Sequence, residues 1–328
     1  MAITHEEMTE LIQKFSTDYK NLEHELQKTV VGQTDAVRAT LGAIILGGHI
    51  LLEGLPGTGK THLGKSLAKV ISLHMNRIQC TPDLMPTDII GTHVIMETPQ
   101  GRRAFEFQRG PLFSNIVLVD HVNRTTPRTQ AAMLEAMEEG ELTVSTEIFR
   151  LPEPFFVIAT QNPLEMDGTY PLPEAQIDRF LFQAKMKMPT ADELDIILQK
   201  TTSLEKTALR PVLDGNRILK MREIVRNVMI SQELRMLAVK IAFSSHPNAE
   251  NAPEMVKRYV RYGAGPRGIQ ALVCGAKFFA AVSARTEVTR EDLFTAMYPA
   301  LSHRLFLNFA GQAEAVETEK IIEQLKLK

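Results

Sequence analysis

Two short stretches hold the residues best suited to chemistry. The first is GLPGTGKT, Gly54–Thr61, which fits the pattern Gly-x-x-x-x-Gly-Lys-Ser/Thr. It follows the apolar run HILLE and precedes the helix-like HLGKSLAKVI. Gly57 and Gly59 let the backbone curl so that its N–H groups and a helix N-terminus face phosphate oxygens. Lys60 then brings a point charge to the outer phosphates, and the Thr61 hydroxyl serves as a magnesium ligand. The nucleotide-contacting set expected here is Gly54, Pro56, Gly57, Thr58, Gly59, Lys60, Thr61 and His62. A chance match to the four fixed positions occurs in roughly one chain in a hundred of this length. The strand–loop–helix setting makes a mere glycine turn rarer still.

The second stretch is NIVLVDHVNRTTPRTQ, Asn115–Gln130. Its apolar run ends on Asp120, placed to complete the magnesium site through water. A plain helix-capping aspartate is the alternative. ATP and magnesium are thus the expected cofactors.

These side chains need a scaffold. Short β-rich runs at 50–53, 76–80, 116–120, 155–161 and 180–186 alternate with helical segments, which predicts a mostly parallel five-stranded sheet covered on both faces. An amphipathic helix over 5–28 and a second helix at about 33–46 are expected ahead of it. Two hairpin insertions are expected, at 92–108 around Pro99 and Gly101 and at 141–151. From about Asp192 onward strand-like runs disappear, and helices are expected near 192–201, 216–228, 231–244, 266–284, 289–297 and 312–327. The expected organisation is an α/β nucleotide-binding domain over 1–190 and an all-α lid over 191–328.

Composition bounds the function. The chain has 328 residues, of which 44% are hydrophobic and 23% charged, as in ordinary globular proteins. A net charge of -2 gives no general basic footprint for nucleic acid or anionic membrane. Cys80 and Cys274 lie far apart without metal-binding spacing and read as reduced, buried packing residues. The polar, acidic start is unlike a signal peptide, and the apolar runs are too short and too broken to span a bilayer. A cytoplasmic location without membrane insertion is expected.

With these motifs in place, the chain resembles the MoxR family of AAA+ ATPases from Val30 to Phe306. The motifs that carry the resemblance are VVGQ (30–33), LLEGLPGTGKT (51–61), CTPDLMPTDIIGT (80–92), NRTTPRTQAAMLEAMEE (123–139), ATQNP (159–163), GTYPLPEAQIDRF (168–180) and GPRGIQAL (265–272). The resemblance implies that Val31 and Gly32 sit beside the adenine, and that Asn162 is a first sensor orienting the attacking water. It implies that Arg179 is an arginine finger reaching a neighbouring subunit's nucleotide, and that Arg267 is a second sensor near the terminal phosphate. Arg124 is a further candidate for the subunit junction. A plain turn at Val31–Gly32 or Asn162, and a surface arginine at 179 or 267, are the structural alternatives. The first hairpin resembles the family's helix-two insertion, whose tip faces a central pore and touches a client, or else it is a passive surface hairpin. The family expectation is a homo-oligomeric ring, a hexamer, that remodels or activates a protein client, often one with a von Willebrand A domain. A nucleic-acid motor and a chelatase-type subunit share the core.

The chain departs from the family at His121, where a glutamate normally polarises the lytic water. General-base assistance is worth about 10² to 10⁴ in rate, so its loss slows hydrolysis without much effect on binding. Three readings stand. His121 accepts the proton itself, since an imidazole is partly neutral at pH 7. Or the chain is an ATP-gated switch or scaffold that scarcely hydrolyses. Or His121 turns away from the water altogether.

Overall fold

The computed structural model describes residues 4–97, 103–163, 168–203 and 207–326. Helix α1 (His5–Gln27) begins at Thr4, whose hydroxyl accepts from the Glu7 N–H while the Glu7 carboxylate accepts from the Thr4 N–H. Its buried side chains Met8, Ile12, Phe15, Tyr19, Leu22 and Leu26 recur at intervals of three and four, forming one apolar stripe. Helix α2 (Thr34–Leu46) leads into β1 (Ile50–Gly54), then α3 (Lys60–Val70), β2 (Met75–Gln79) and the short α4 (Pro86–Ile90).

The first hairpin is β3 (Gly91–Glu97) and β4 (Arg103–Arg109), antiparallel with Ile95 opposite Phe105. Its tip, with Pro99 and Gly101, lies outside the described residues. Next come β5 (Ile116–Asp120), α5 (Pro127–Glu139), a second hairpin of β6 (Glu141–Val144) and β7 (Glu147–Arg150), and then β8 (Phe156–Gln161). The short α6 (Glu174–Ile177) and β9 (Phe182–Met186) complete this part. Phe107 of the first hairpin packs at a tilt against Phe149 of the second, ring centroids 4.6 Å apart, so the two insertions form one aromatic cluster.

The main sheet has the order β2-β5-β8-β1-β9, and every pairing is parallel. β5 and β8 read as almost unbroken apolar runs because both faces are covered. Parallel pairing brings the carboxyl ends of β1, β2, β5 and β8 to one edge, where ligands bind in open α/β sheets.

The remaining helices are α7 (Ala191–Thr202), α8 (Gly215–Asn227), α9 (Gln232–Ser244), α10 (Glu254–Tyr259), α11 (Pro266–Val282) and α12 (Arg290–Leu301). The short α10 falls between the expected helices 231–244 and 266–284, and other features also differ from the sequence expectation. This region is not strandless: β10 (Val260–Tyr262) pairs antiparallel with β11 (Phe306–Leu307), two runs too short to show alternation. The helix expected over 312–327 is divided into α13 (Phe309–Ala313) and α14 (Thr318–Lys326), with Ala315 between them at φ 48°. The Phe278 ring of α11 packs edge-on against Tyr19 and Phe15 of α1, so one apolar cluster runs from the opening helix through the later helices. Cys80 is buried as expected, whereas Cys274 is exposed on α11. No helix among the described residues is long and apolar enough to cross a membrane.

His49 enters β1 fully enclosed. Its Nε2 donates to the Met137 carbonyl (2.9 Å) and its Nδ1 accepts from the Val157 N–H (3.0 Å), which ties β1 to α5 and β8. Both ring nitrogens are satisfied only in the neutral form, and burial holds the imidazole down to about 4 from the usual 6.5. As pH falls through that window, the unfolded chain gains a proton that the folded chain refuses, so stability is lost. The buried His303 acts with the same sign. We expect up to about 3 kcal/mol of stability from His49 to disappear between pH 6.5 and pH 4. Thermal melting across that range should show the decline, shallower in His49→Gln; a flat melting profile would contradict it.

Candidate functional site

The loop between β1 and α3 curls because two glycines take left-handed backbone conformations, Gly57 at φ 84° and Gly59 at φ 93°. A Cβ on Gly57 would meet nothing within 4 Å, and one on Gly59 only the Met186 Cε at 3.9 Å. Glycine is therefore required by backbone sign rather than by crowding. The Thr58 hydroxyl donates to the Leu55 carbonyl at 2.9 Å and braces the curl. Gly59 caps α3 with no side-chain hydrogen bond, so the positive end of the helix dipole opens toward the loop. Lys60 is buried, and its Nζ donates to the carbonyls of Gly54 (2.6 Å) and Leu55 (2.8 Å), holding an ammonium in the loop's concavity.

Asp120 ends β5 with its carboxylate buried. It accepts from the Thr61 hydroxyl at 3.2 Å and from the Thr160 hydroxyl of β8 at 3.2 Å. Thr61 and Asp120 thus bring hard oxygen donors together beside the loop. Such a pair suits a magnesium ion that keeps several waters and takes the rest of its ligands from phosphate. The donor set fits the metal.

Asp120 has a further partner that sequence reasoning missed. Arg77 of β2 donates from Nε to Asp120 Oδ2 at 2.6 Å and from Nη2 to Gln79 Oε1 at 2.6 Å. The Gln79 amide nitrogen in turn meets His121 Nδ1 at 3.5 Å. The only available signal was the spacing of 77 and 79, which puts both side chains on one face of a strand. The strand pairing that brings Gln79 beside Asp120 is 41 residues away in sequence.

His121 itself has φ 59° and ψ 55°, and its N–H donates to the Thr160 hydroxyl at 3.0 Å. A left-handed backbone is uncommon for a residue other than glycine. Asn162 is buried two residues beyond Thr160, where β8 leaves the sheet. Asp120, His121, Thr61 and Thr160 are thus brought together at the sheet edge, with Asn162 just past the end of the adjoining strand.

The other expected residues form two groups. His62, exposed in the first turn of α3, meets the Thr29 carbonyl through Nε2 at 3.2 Å, which joins α3 to the 29–33 segment. Gly32 there has φ 73°, and a Cβ on it would lie 2.5 Å from the Glu193 carboxylate at the start of α7. Val31 and Gly32 therefore sit between α3 and α7. Arg179 and Arg267 lie elsewhere and converge on one residue. Arg179 Nη2 pairs with Glu138 Oε2 at 2.8 Å and Arg267 Nη2 with Glu138 Oε1 at 2.6 Å. Buried Arg304 holds the adjoining Asp178 at 2.7 Å. These described partners of Arg179 and Arg267 belong to α5 and the α6 corner, not to the 54–61 loop. Glu138 was not foreseen, since nothing in a run of helical glutamates singles one out. Arg124 is exposed at the end of the turn Val122–Arg124.

Comparison with known proteins agrees with this arrangement. Residues 49–182 match the family model described as ATPase family associated with various cellular activities (AAA), and residues 253–325 match the AAA lid domain. The chain is similar to YeaC of Bacillus subtilis, with 38% identity covering 93% of this chain and 92% of that one. It is 35% identical to the protein named Chaperone MoxR1 of Mycobacterium tuberculosis, over 92% of this chain and 79% of the relative. A crystal structure from Cytophaga hutchinsonii, named as that of a candidate ATPase, is 36% identical and superposes with a TM-score of 0.88, covering 96% of this chain and 95% of that one.

Proposed function

Since this chain belongs to the MoxR family of AAA+ ATPases, we propose that it binds ATP with magnesium on the loop Gly54–Thr61, hydrolyses it slowly, and uses the cycle to remodel or activate a protein client. One observation carries the reading. The left-handed Gly57 and Gly59 wrap the loop around the Lys60 ammonium, directly beside the Thr61–Asp120 oxygen pair.

In this reading the curled amides and Lys60 bind the phosphate tail, and Thr61 and Asp120 hold the metal. Magnesium, when bound, neutralises charge between the outer phosphates. Asn162 orients water at the sheet edge, and Val31, Gly32 and His62 border the base. The helical region from 191 onward closes over the nucleotide as a lid. The work takes place in the cytoplasm, in a ring whose active sites are shared. Arg179, whose described partners lie off the 54–61 loop, is the group that reaches the neighbouring subunit's nucleotide, and Arg267 is the second sensor carried by the helical region. The client is a protein, with a von Willebrand A-domain partner as the family expectation and the first hairpin as its contact.

Shared sites lead to a test by mixing. Lys60→Ala and Arg179→Ala each disable every junction of a uniform ring. In randomly mixed rings, roughly a quarter of the junctions regain an intact Lys60 facing an intact Arg179. We expect the mixture to recover ATPase activity that neither variant shows alone. Mixtures that stay as inactive as their components would remove the subunit-sharing reading.

A further inference from the structure

Arg304 carries a charge deep inside the molecule. It ends the turn Ser302–Arg304 that directly follows α12, and only 3% of its side chain is exposed. Its Nε donates to Asp178 Oδ1 (2.7 Å), Nη2 to the carbonyls of Asp178 (2.8 Å) and Phe180 (2.8 Å), and Nη1 to those of Leu181 (3.2 Å) and Ala300 (2.6 Å). A guanidinium has five N–H donors, so each has an acceptor. From the same turn His303 Nε2 donates to the Phe180 carbonyl at 3.0 Å, and the Ser302 hydroxyl donates to Gln183 Oε1 at 2.8 Å. All but one of the acceptors of Arg304 belong to residues 178–181, the segment that contains Arg179.

Two other ion pairs, Arg261–Glu174 and Arg267–Glu138, also tie the helical region to this corner, but both are open to solvent, where such pairs contribute little. The Arg304 grip is dry. A buried guanidinium is tolerated only when paired and fully bonded, so the 302–304 turn and the 178–181 segment have to move as one piece. We propose that Arg304 is the positioning residue of Arg179: it bonds the chain on both sides of that residue, so the placement of the finger follows the helical lid of its own subunit. The inference rests on the reading of Arg179 as the group that reaches a neighbour's nucleotide. It supplies a link that reading lacks. The lid responds to the nucleotide of its own subunit, and through Arg304 that response changes what the subunit presents to the next one.

Arg304→Lys keeps the charge but has three donors for five acceptors. In the full-length protein, ATP affinity measured by titration should stay near the wild-type value, because the grip does not touch the 54–61 loop. Turnover should fall roughly 10- to 100-fold as the finger is misplaced. Mixing then reports which side of the junction is damaged. With Lys60→Ala, Arg304→Lys should recover activity, because well-placed fingers again face intact loops; with Arg179→Ala it should not, because neither subunit supplies a placed finger. Asp178→Ala removes one acceptor at a partly exposed position, should give the same pattern with a smaller loss, and carries the test if Arg304→Lys does not fold. Recovery with Arg179→Ala, recovery with neither partner, or undiminished turnover would each overturn the inference. A mixture of Lys60→Ala and Arg179→Ala that stays inactive removes the shared-site reading and this inference with it; if that mixture recovers, a contrary pattern removes the inference alone.

Discussion

Lys60→Ala is expected to lower ATP turnover by roughly 10² to 10³, the range seen when one preorganised charge or donor is removed from a reacting oxyanion. It should also weaken ATP binding, because the ammonium serves ground state and transition state alike. The effect is large because Lys60 does two things. Its buried Nζ bonds the Gly54 and Leu55 carbonyls, which shapes the loop, and it supplies a fixed positive charge within the curl. Truncation leaves those two carbonyls without their donor, a local cost of about 1–3 kcal/mol. That cost falls on one loop of a large core, so the fold should survive. Turnover in a steady-state assay, beside melting curves for wild type and variant, separates the two effects. Unchanged turnover in a well-folded variant would mean that the loop is not the phosphate site.

The second large effect runs the other way. His121→Glu should raise turnover by about 10- to 100-fold, as part of the general-base contribution is restored. The local structure favours the exchange: a carboxylate at 121 would accept from the same Gln79 N–H that now faces Nδ1. Glutamate pays a little more than histidine for the left-handed backbone, a cost near 1 kcal/mol. Steady-state phosphate release with magnesium is the measurement. A flat or reduced rate would show that position 121 does not adjoin the attacking water. Single-turnover phosphate release by the wild type also separates a slow enzyme from an ATP-gated scaffold, which would show none.

Much of this site was legible in the sequence because its parts are local. The proposed phosphate loop is eight consecutive residues, and its two left-handed positions are both glycine, the one residue type at home there. The strands fall within a residue or two of their expected places because apolar runs bounded by turn residues are strong signals. Asp120 was legible as the polar residue that ends such a run. What escaped was set by strand order. Arg77 and Gln79 matter only because β2 lies beside β5, a pairing that no local pattern encodes. Glu138 likewise acquires its role from Arg179 and Arg267, which arrive 41 and 129 residues later. The β10–β11 pair has three residues in one strand and two in the other, below the length at which alternation can be read. His121 was visible as an anomaly from the outset. One of the groups that face its ring, Gln79, comes from the neighbouring strand, which no local pattern encodes.

The central claim is that residues 54–61 grip a triphosphate with the help of Lys60 and a divalent ion held by Thr61 and Asp120. Isothermal titration of ATP into the folded protein tests it most directly, with and without magnesium and with Lys60→Ala alongside. Saturable one-site binding to the wild type is expected, strengthened by magnesium and lost or greatly weakened in the variant. Heat indistinguishable from dilution with folded wild-type protein, or equal affinity in Lys60→Ala, would contradict it.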